Sequence, residues 1–338
     1  IWFSPTNRQM LETVSQNAQR IRQYGIEEGD LEVERFLDAV LSIADHIDPY
    51  PRREAQEPEQ EAPQASGEGP YDDLFPREQS RDRREKAKPR RPARKKVPAA
   101  PEKDLLLFLL EHADHLEDWQ RDILAIVREE SLYFVPQMQT KIMNEGWASF
   151  WHMRIMRELD LTDEEFVEFG KLHSAVCTPG HTRINPYYVG LKIFEDIEKR
   201  FGRDKIFEVR EMENDVSFLR TYLTEELCRD LDLFVYELQD DAWKITDKQW
   251  ERVRDALCDA MTNFGHPYIV VEDGDYKGRK ELLLRHQHDG RDLDLPYAEK
   301  TMQYLYQIWG RPVHLETVVE GRPTRLTCEG EKVKQERL

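Results

Sequence analysis

Phe264-Gly265-His266-Pro267-Tyr268-Ile269-Val270-Val271 and Trp309-Gly310-Arg311-Pro312-Val313-His314-Leu315-Glu316 follow one plan, and reading them decides the fold. In each, a helical pattern runs up to a glycine, a proline follows two residues later, and a run of strand character comes next. Glycine closes a helix by adopting the left-handed conformation, and proline blocks its extension because it lacks an N–H and collides with the preceding turn. Strands are expected at 233–238, 268–272, 280–286, 313–319 and 324–328, with helices between them. Short strands close in sequence imply a mainly antiparallel sheet with helices on one face. The stretch Gly274-Asp275-Tyr276-Lys277-Gly278 leads from strand to strand, so it reads as a hairpin connection and not as a phosphate loop at a helix N-terminus.

Upstream the periodicity is helical. Met10, Leu11, Val14, Ala18 and Ile21, then Leu31, Phe36, Leu37, Val40 and Leu41, recur at helical spacing and predict two amphipathic helices joined around 25–30. Such a pair buries little by itself and must pack on something else. From 51 to 101 the chain turns to Pro, Glu, Gln, Arg and Lys, which cannot offset the entropy of ordering, so a disordered linker is expected. Its basic run at 86–96 has no interleaved aromatic residue for base stacking and reads as solvated linker. Further helices are expected from Leu105, around Trp119, and at 136–159, 163–172 and 186–200. The expected fold class is therefore α+β, divided into a helical segment (1–50), a charged linker (51–101), a helical core domain (102–206) and an α+β domain (207–338).

Composition narrows the setting. No stretch approaches the roughly 18 apolar residues of a membrane-spanning helix, and no signal-peptide pattern opens the chain; a cytoplasmic protein without a membrane span is expected. A net charge of −18 opposes non-specific binding to nucleic acid. Cys177, Cys228, Cys258 and Cys328 show no C-x-x-C spacing and read as reduced packing residues. The chain begins at Ile1 without methionine, which raises the expectation of residues upstream.

The segment 136–159 is the most informative for chemistry. Gln137, Lys141, Asn144, Glu145, Ser149 and His152 fall on one side of a helix, and Met138, Ile142, Trp147, Phe150, Trp151 and Ile155 supply apolar cover. A polar stripe on so apolar a helix is not expected to face bulk water. Glu145 and His152 are two turns apart, so a carboxylate and an imidazole can converge there with Ser149 between them. They could share a metal such as zinc, exchange a proton, or form a hydrogen-bond network that fixes the helix, and these readings stay open. Zinc normally takes three protein ligands, and no H-E-x-x-H pair occurs in the chain. His181, with Arg183, Asn185 and Tyr187, forms a second polar cluster, although Asn before Pro also serves simply to open a helix. His286 and His288 alternate along a strand and are expected on an edge or solvent face. No Ser-His-Asp elbow, Walker motif or dinucleotide fingerprint is present, and the sequence establishes no reaction.

Pro136-Gln137-Met138-Gln139-Thr140-Lys141 followed by Asn144-Glu145-Gly146-Trp147-Ala148-Ser149 (NEGWAS) and Phe150-Trp151-His152 closely resembles the stage V sporulation protein R (SpoVR) family. Trp119-Gln120-Arg121, Ile184-Asn185-Pro186-Tyr187, Tyr297-Ala298-Glu299-Lys300-Thr301 and Trp309-Gly310-Arg311-Pro312-Val313 add to a resemblance that spans 102–317. It implies a cytoplasmic protein of spore cortex formation, or, in organisms that do not sporulate, of stress response beside a serine kinase, working through protein partners. Members of the family also carry an upstream H-x-x-x-G-H segment, which this chain does not include. The Glu145-Gly146-Trp147-Ala148 stretch is similar to the gluzincin helix that supplies a glutamate ligand, which implies the alternative of a zincin-like metalloprotein. In it Glu145 would be a ligand and His152 a supporting or fourth one, with the histidine ligands upstream.

Overall fold

The computed structural model describes residues 9–50, 96–180, 184–239 and 242–338. Most of the expected linker, 51–95, lies outside the described residues, as do His181 and Arg183. The chain opens with α1 (Met10–Tyr24), a π-helical turn (Gly25–Gly29) and α2 (Asp30–Leu41). After the gap come α3 (Leu105–His112) and α4 (Asp118–Gln139), then α5 (Lys141–Glu158), α6 (Asp163–Val176) and α7 (Pro186–Phe201). Three shorter helices follow: α8 (Arg203–Met212), α9 (Asp215–Tyr222) and α10 (Glu225–Asp230). A hairpin of β1 (Val235–Gln239) and β2 (Ala242–Asp247) precedes α11 (Trp250–Ala260).

The main sheet is formed by β3 (Ile269–Tyr276), β4 (Glu281–His286), β5 (Val313–Val319), β6 (Arg322–Glu329) and β7 (Lys332–Arg337), side by side in that order. Neighbours are antiparallel except β4 and β5, which run parallel because α12 (Leu295–Trp309) crosses between them. Gly310 caps α12 in the left-handed conformation (φ 69°), and Pro312 precedes β5, as the sequence plan requires. The echo at Gly265 differs: a short 3-10 turn, Thr262–Gly265, separates α11 from the strand. The strand expected at 233–238 pairs with β2 outside the main sheet, and β7, too polar to announce itself, completes that sheet.

Apolar packing is organised in two cores. In the first, Met302, Leu305 and Ile308 of α12 meet Val313, Leu315 and Leu326 of the sheet, and the cluster continues through Val33, Phe36 and Val40 of α2 and Ile123 and Leu124 of α4. The opposite face of the sheet carries a charge ladder, Glu272–Arg285 (3.8 Å), Arg285–Glu316 (3.5 Å) and Glu316–Arg325 (2.6 Å). The second core joins Phe150 of α5 and Phe194 of α7 to Ile206, Phe218, Leu227 and Val253 further on. Packing thus crosses the division expected at residue 206.

Three further expectations are corrected. The helix read as 136–159 is two: Pro136 lies in the last turn of α4, and the chain breaks at Thr140 (φ −130°), whose hydroxyl donates to Pro136 O at 2.7 Å. Residues 96–101, assigned by composition to the linker, run along β3, with Gly274 N donating to Val97 O (2.6 Å) and Lys96 paired with Glu272 (2.7 Å). His286 is buried, its Nδ1 2.9 Å from Thr317 Oγ1, because its strand position faces the helices; His288 lies beyond the strand and meets Asp292 at 2.9 Å. The four cysteines are free thiols, three of them buried.

Candidate functional site

The NEGWAS helix α5 is positioned by two contacts. The first is a glycine crossing with α7. A Cβ on Gly146 would lie 2.3 Å from the carbonyl carbon of Gly190, and a Cβ on Gly190 would lie 2.3 Å from Ile142 O. Only glycine at both positions lets the two backbones touch, so Gly146 serves packing. The second contact is at the N-terminus of α5, where no cap comes from its own sequence. The buried Asp215 reaches across and accepts from Ile142 N (2.8 Å) and Met143 N (2.9 Å). Burial pushes its carboxyl up to about 6, against the backbone N–H donors, which pull it down.

With the helix so held, its polar residues part company. Gln137 and Lys141 are exposed, and the Asn144 amide donates to Thr140 Oγ1 at 2.9 Å, bracing the break. Glu145 is half-buried and accepts a hydrogen bond from the Tyr187 hydroxyl, which raises the Tyr187 pKa. Ser149 is buried and bonded to Cys177, whose thiol is pushed up chiefly by burial. His152 is exposed, edge-on to Phe169 (5.4 Å between ring centres), and Phe169 lies 5.6 Å from His173 on the other side. Burial lowers the His173 pKa, with a smaller contribution from His152. Asn185 is the N-cap of α7: its Oδ1 accepts from Tyr187 N (3.0 Å), and its amide donates to Val176 O (2.7 Å) and Thr178 O (2.9 Å), lashing the end of α6 to the start of α7. The stripe therefore does not form one buried network. Glu145 faces α7, whereas His152 faces α6.

Between α5 and α6 lies a cleft of about 470 Å³ lined by Ser149, His152, Glu165, Glu168, His173 and Tyr187. Among the described residues, no group of three or more His, Cys, Asp and Glu side chains is arranged to hold a metal ion. The residues described do not by themselves fit a zinc site. Also among the described residues, no helix is long and apolar enough to cross a membrane.

Family models now place the chain. The model described as "SpoVR like protein" matches residues 1–266, and that of the "SpoVR-like C-terminal domain" matches 267–320. The chain belongs to the SpoVR family. The boundary between the two matches falls at the turn that leads from α11 into β3, so the SpoVR C-terminal module coincides with most of the main sheet and α12. A curated SpoVR relative, the uncharacterized protein YcgB of Escherichia coli (strain K12), is 30% identical over 336 residues. That match takes in 87% of this chain and 64% of the relative, so the chain spans less than two thirds of the relative's length. No solved structure matches. His173 and Asp215 escaped the sequence reading. Asp215 sits in an Asn214-x-x-Ser217 capping box that could have flagged the start of α9, but nothing local says that the same residue caps α5.

Proposed function

We propose that this SpoVR-family chain works by binding a protein partner on the α5–α6 face, in the cytoplasm, in spore cortex formation or stress response. One observation carries the reading. Helix α6 buries no residue, yet Phe166 (51% exposed), Val167 (54%), Leu172 (63%) and Val176 (48%) are large and apolar. An amphipathic helix kept in register by a Thr162–Glu165 capping box, with its apolar side chains open, has the character of a docking element. The neighbouring cleft offers imidazole, carboxylate and phenol groups to fix the orientation of what docks. A serine kinase system is the partner class that the family resemblance suggests.

The test is a pair of surface variants, Phe166→Asp and Leu172→Asp, in the full-length protein of the parent organism. Each should keep the wild-type melting temperature, lose spore or stress resistance in a deletion strain, and lose a crosslink formed from a photoreactive residue at Val176. Full complementation by both variants would sink the reading. A second reading is supported by His152 and His173 lining one cleft with Glu165 and Glu168: parts of longer family members could complete a divalent-metal site there. Under that reading, full-length protein should retain about one equivalent of metal by elemental analysis, and His152→Ala should release it.

A further inference from the structure

A second cleft, of about 630 Å³, opens where the two apolar cores meet. Clefts of this size at the junction of packing units are where small molecules usually bind. One wall is the end of α4 and the start of α5, with Met138, Lys141 and Ile142; the other is α9 and the turn after α11, with Val216, Met261 and Phe264. Lys103 closes the near side, its ammonium 5.1 Å from the centre of the Tyr268 ring.

Three features of this cleft go beyond packing. The turn is left-handed at three successive residues, Asn263 (φ 51°), Phe264 (φ 58°) and Gly265 (φ 82°), although a bulky residue such as Phe pays roughly 1–2 kcal/mol to sit there. The Asn263 amide donates to His266 O (3.1 Å) and Pro267 O (3.2 Å), which fixes its orientation, and its buried Oδ1 then has no donor among the described residues. Lys103 and Lys141 form no ion pair among the described residues. Asp215 also lines the cleft, but both its carboxylate oxygens are occupied by the backbone of α5.

We propose that this cleft binds a small amphipathic carboxylate, of which an aryl-substituted propionate is the simplest form. Its carboxylate meets Lys103 and Lys141, and its apolar body lies against Ile142, Val216 and Phe264. Each element of the ligand thus answers a group that the fold leaves open.

The probe is 3-phenylpropionate, titrated into the whole chain by calorimetry. Saturable binding of one equivalent is expected. Its methyl ester, without the charge, should bind about tenfold more weakly or worse. Lys103→Gln and Lys141→Gln should weaken the acid and leave the ester unchanged, and Met261→Trp should block both compounds. Absence of saturable binding overturns the proposal. So does an ester that binds as well as the acid, or affinity that survives Met261→Trp in protein of unchanged melting temperature.

Discussion

Asp215 is 5% exposed and holds the N-terminus of α5, so its charge state is tied to the stability of the candidate site. Burial raises its carboxyl from the ordinary range to about 6, meaning that the fold favours the neutral form. Its contribution is therefore fully present below the unfolded-state value near 3.8 and is lost as pH rises through about 6. A shift of that size corresponds to on the order of 3 kcal/mol. His46 works the other way: burial presses it down to about 4, so the protein loses stability as pH falls from 6.5 toward that value. The two slopes oppose each other, and only a difference isolates Asp215. Denaturant unfolding of wild type minus Asp215→Asn should fall by that amount between about pH 4 and pH 7. A difference that is flat or rises would mean that the helix N–H groups keep the carboxylate ionised.

At the scale of elements, α5 and α7 touch through Gly146 and Gly190, backbone against backbone. No flexible side chain can yield there, so Gly146→Ala or Gly190→Ala must push the helices apart and open the second core around Phe150 and Phe194. A loss of at least about 2 kcal/mol is expected for either, well beyond the small gain in helix propensity that alanine brings. Thermal unfolding reads this directly, and a neutral Gly146→Ala would show that the crossing is looser than described. The same crossing shows what a sequence can and cannot declare. The stop before β5 was legible because glycine and proline act on their own neighbours. The contact of Gly146 with Gly190, or the approach of His173 to His152 past Phe169, depends on how separate helices meet and leaves no periodic trace. Pro136 misled for a related reason: proline suits the first turn of a helix, but the last turn of α4 tolerates it where Thr140 then ends the run.

For the whole molecule, the decisive fact is that the first core is split in sequence by the stretch 142–261, which builds the second. The main sheet is covered by α12, and α12 is packed in turn against Val33, Phe36 and Val40 of α2, far upstream. Meanwhile Val209, Phe218 and Val253, which a cut at residue 206 would leave with the sheet, are buried in one core with residues of α5 and α7. Composition could not reveal this, because each segment shows an apolar face without saying which other face it meets. A chain of residues 207–338 alone would thus expose one side of each core. Each buried Leu, Ile or Phe left open forfeits roughly 1.5–3 kcal/mol, and several such residues exceed the 5–15 kcal/mol by which domains are stable. That fragment should show no cooperative melting transition and should bind a hydrophobic dye. Residues 96–338 should fold but melt below the whole chain, since the contribution of α2, Ile43 and Ile47 to the first core is missing. Adding residues 9–50 back as a separate peptide should restore part of the lost stability, through Phe36 against Trp119 (5.3 Å between ring centres). A 207–338 fragment that melts cooperatively, as an independent α+β domain would, is the outcome that this packing forbids.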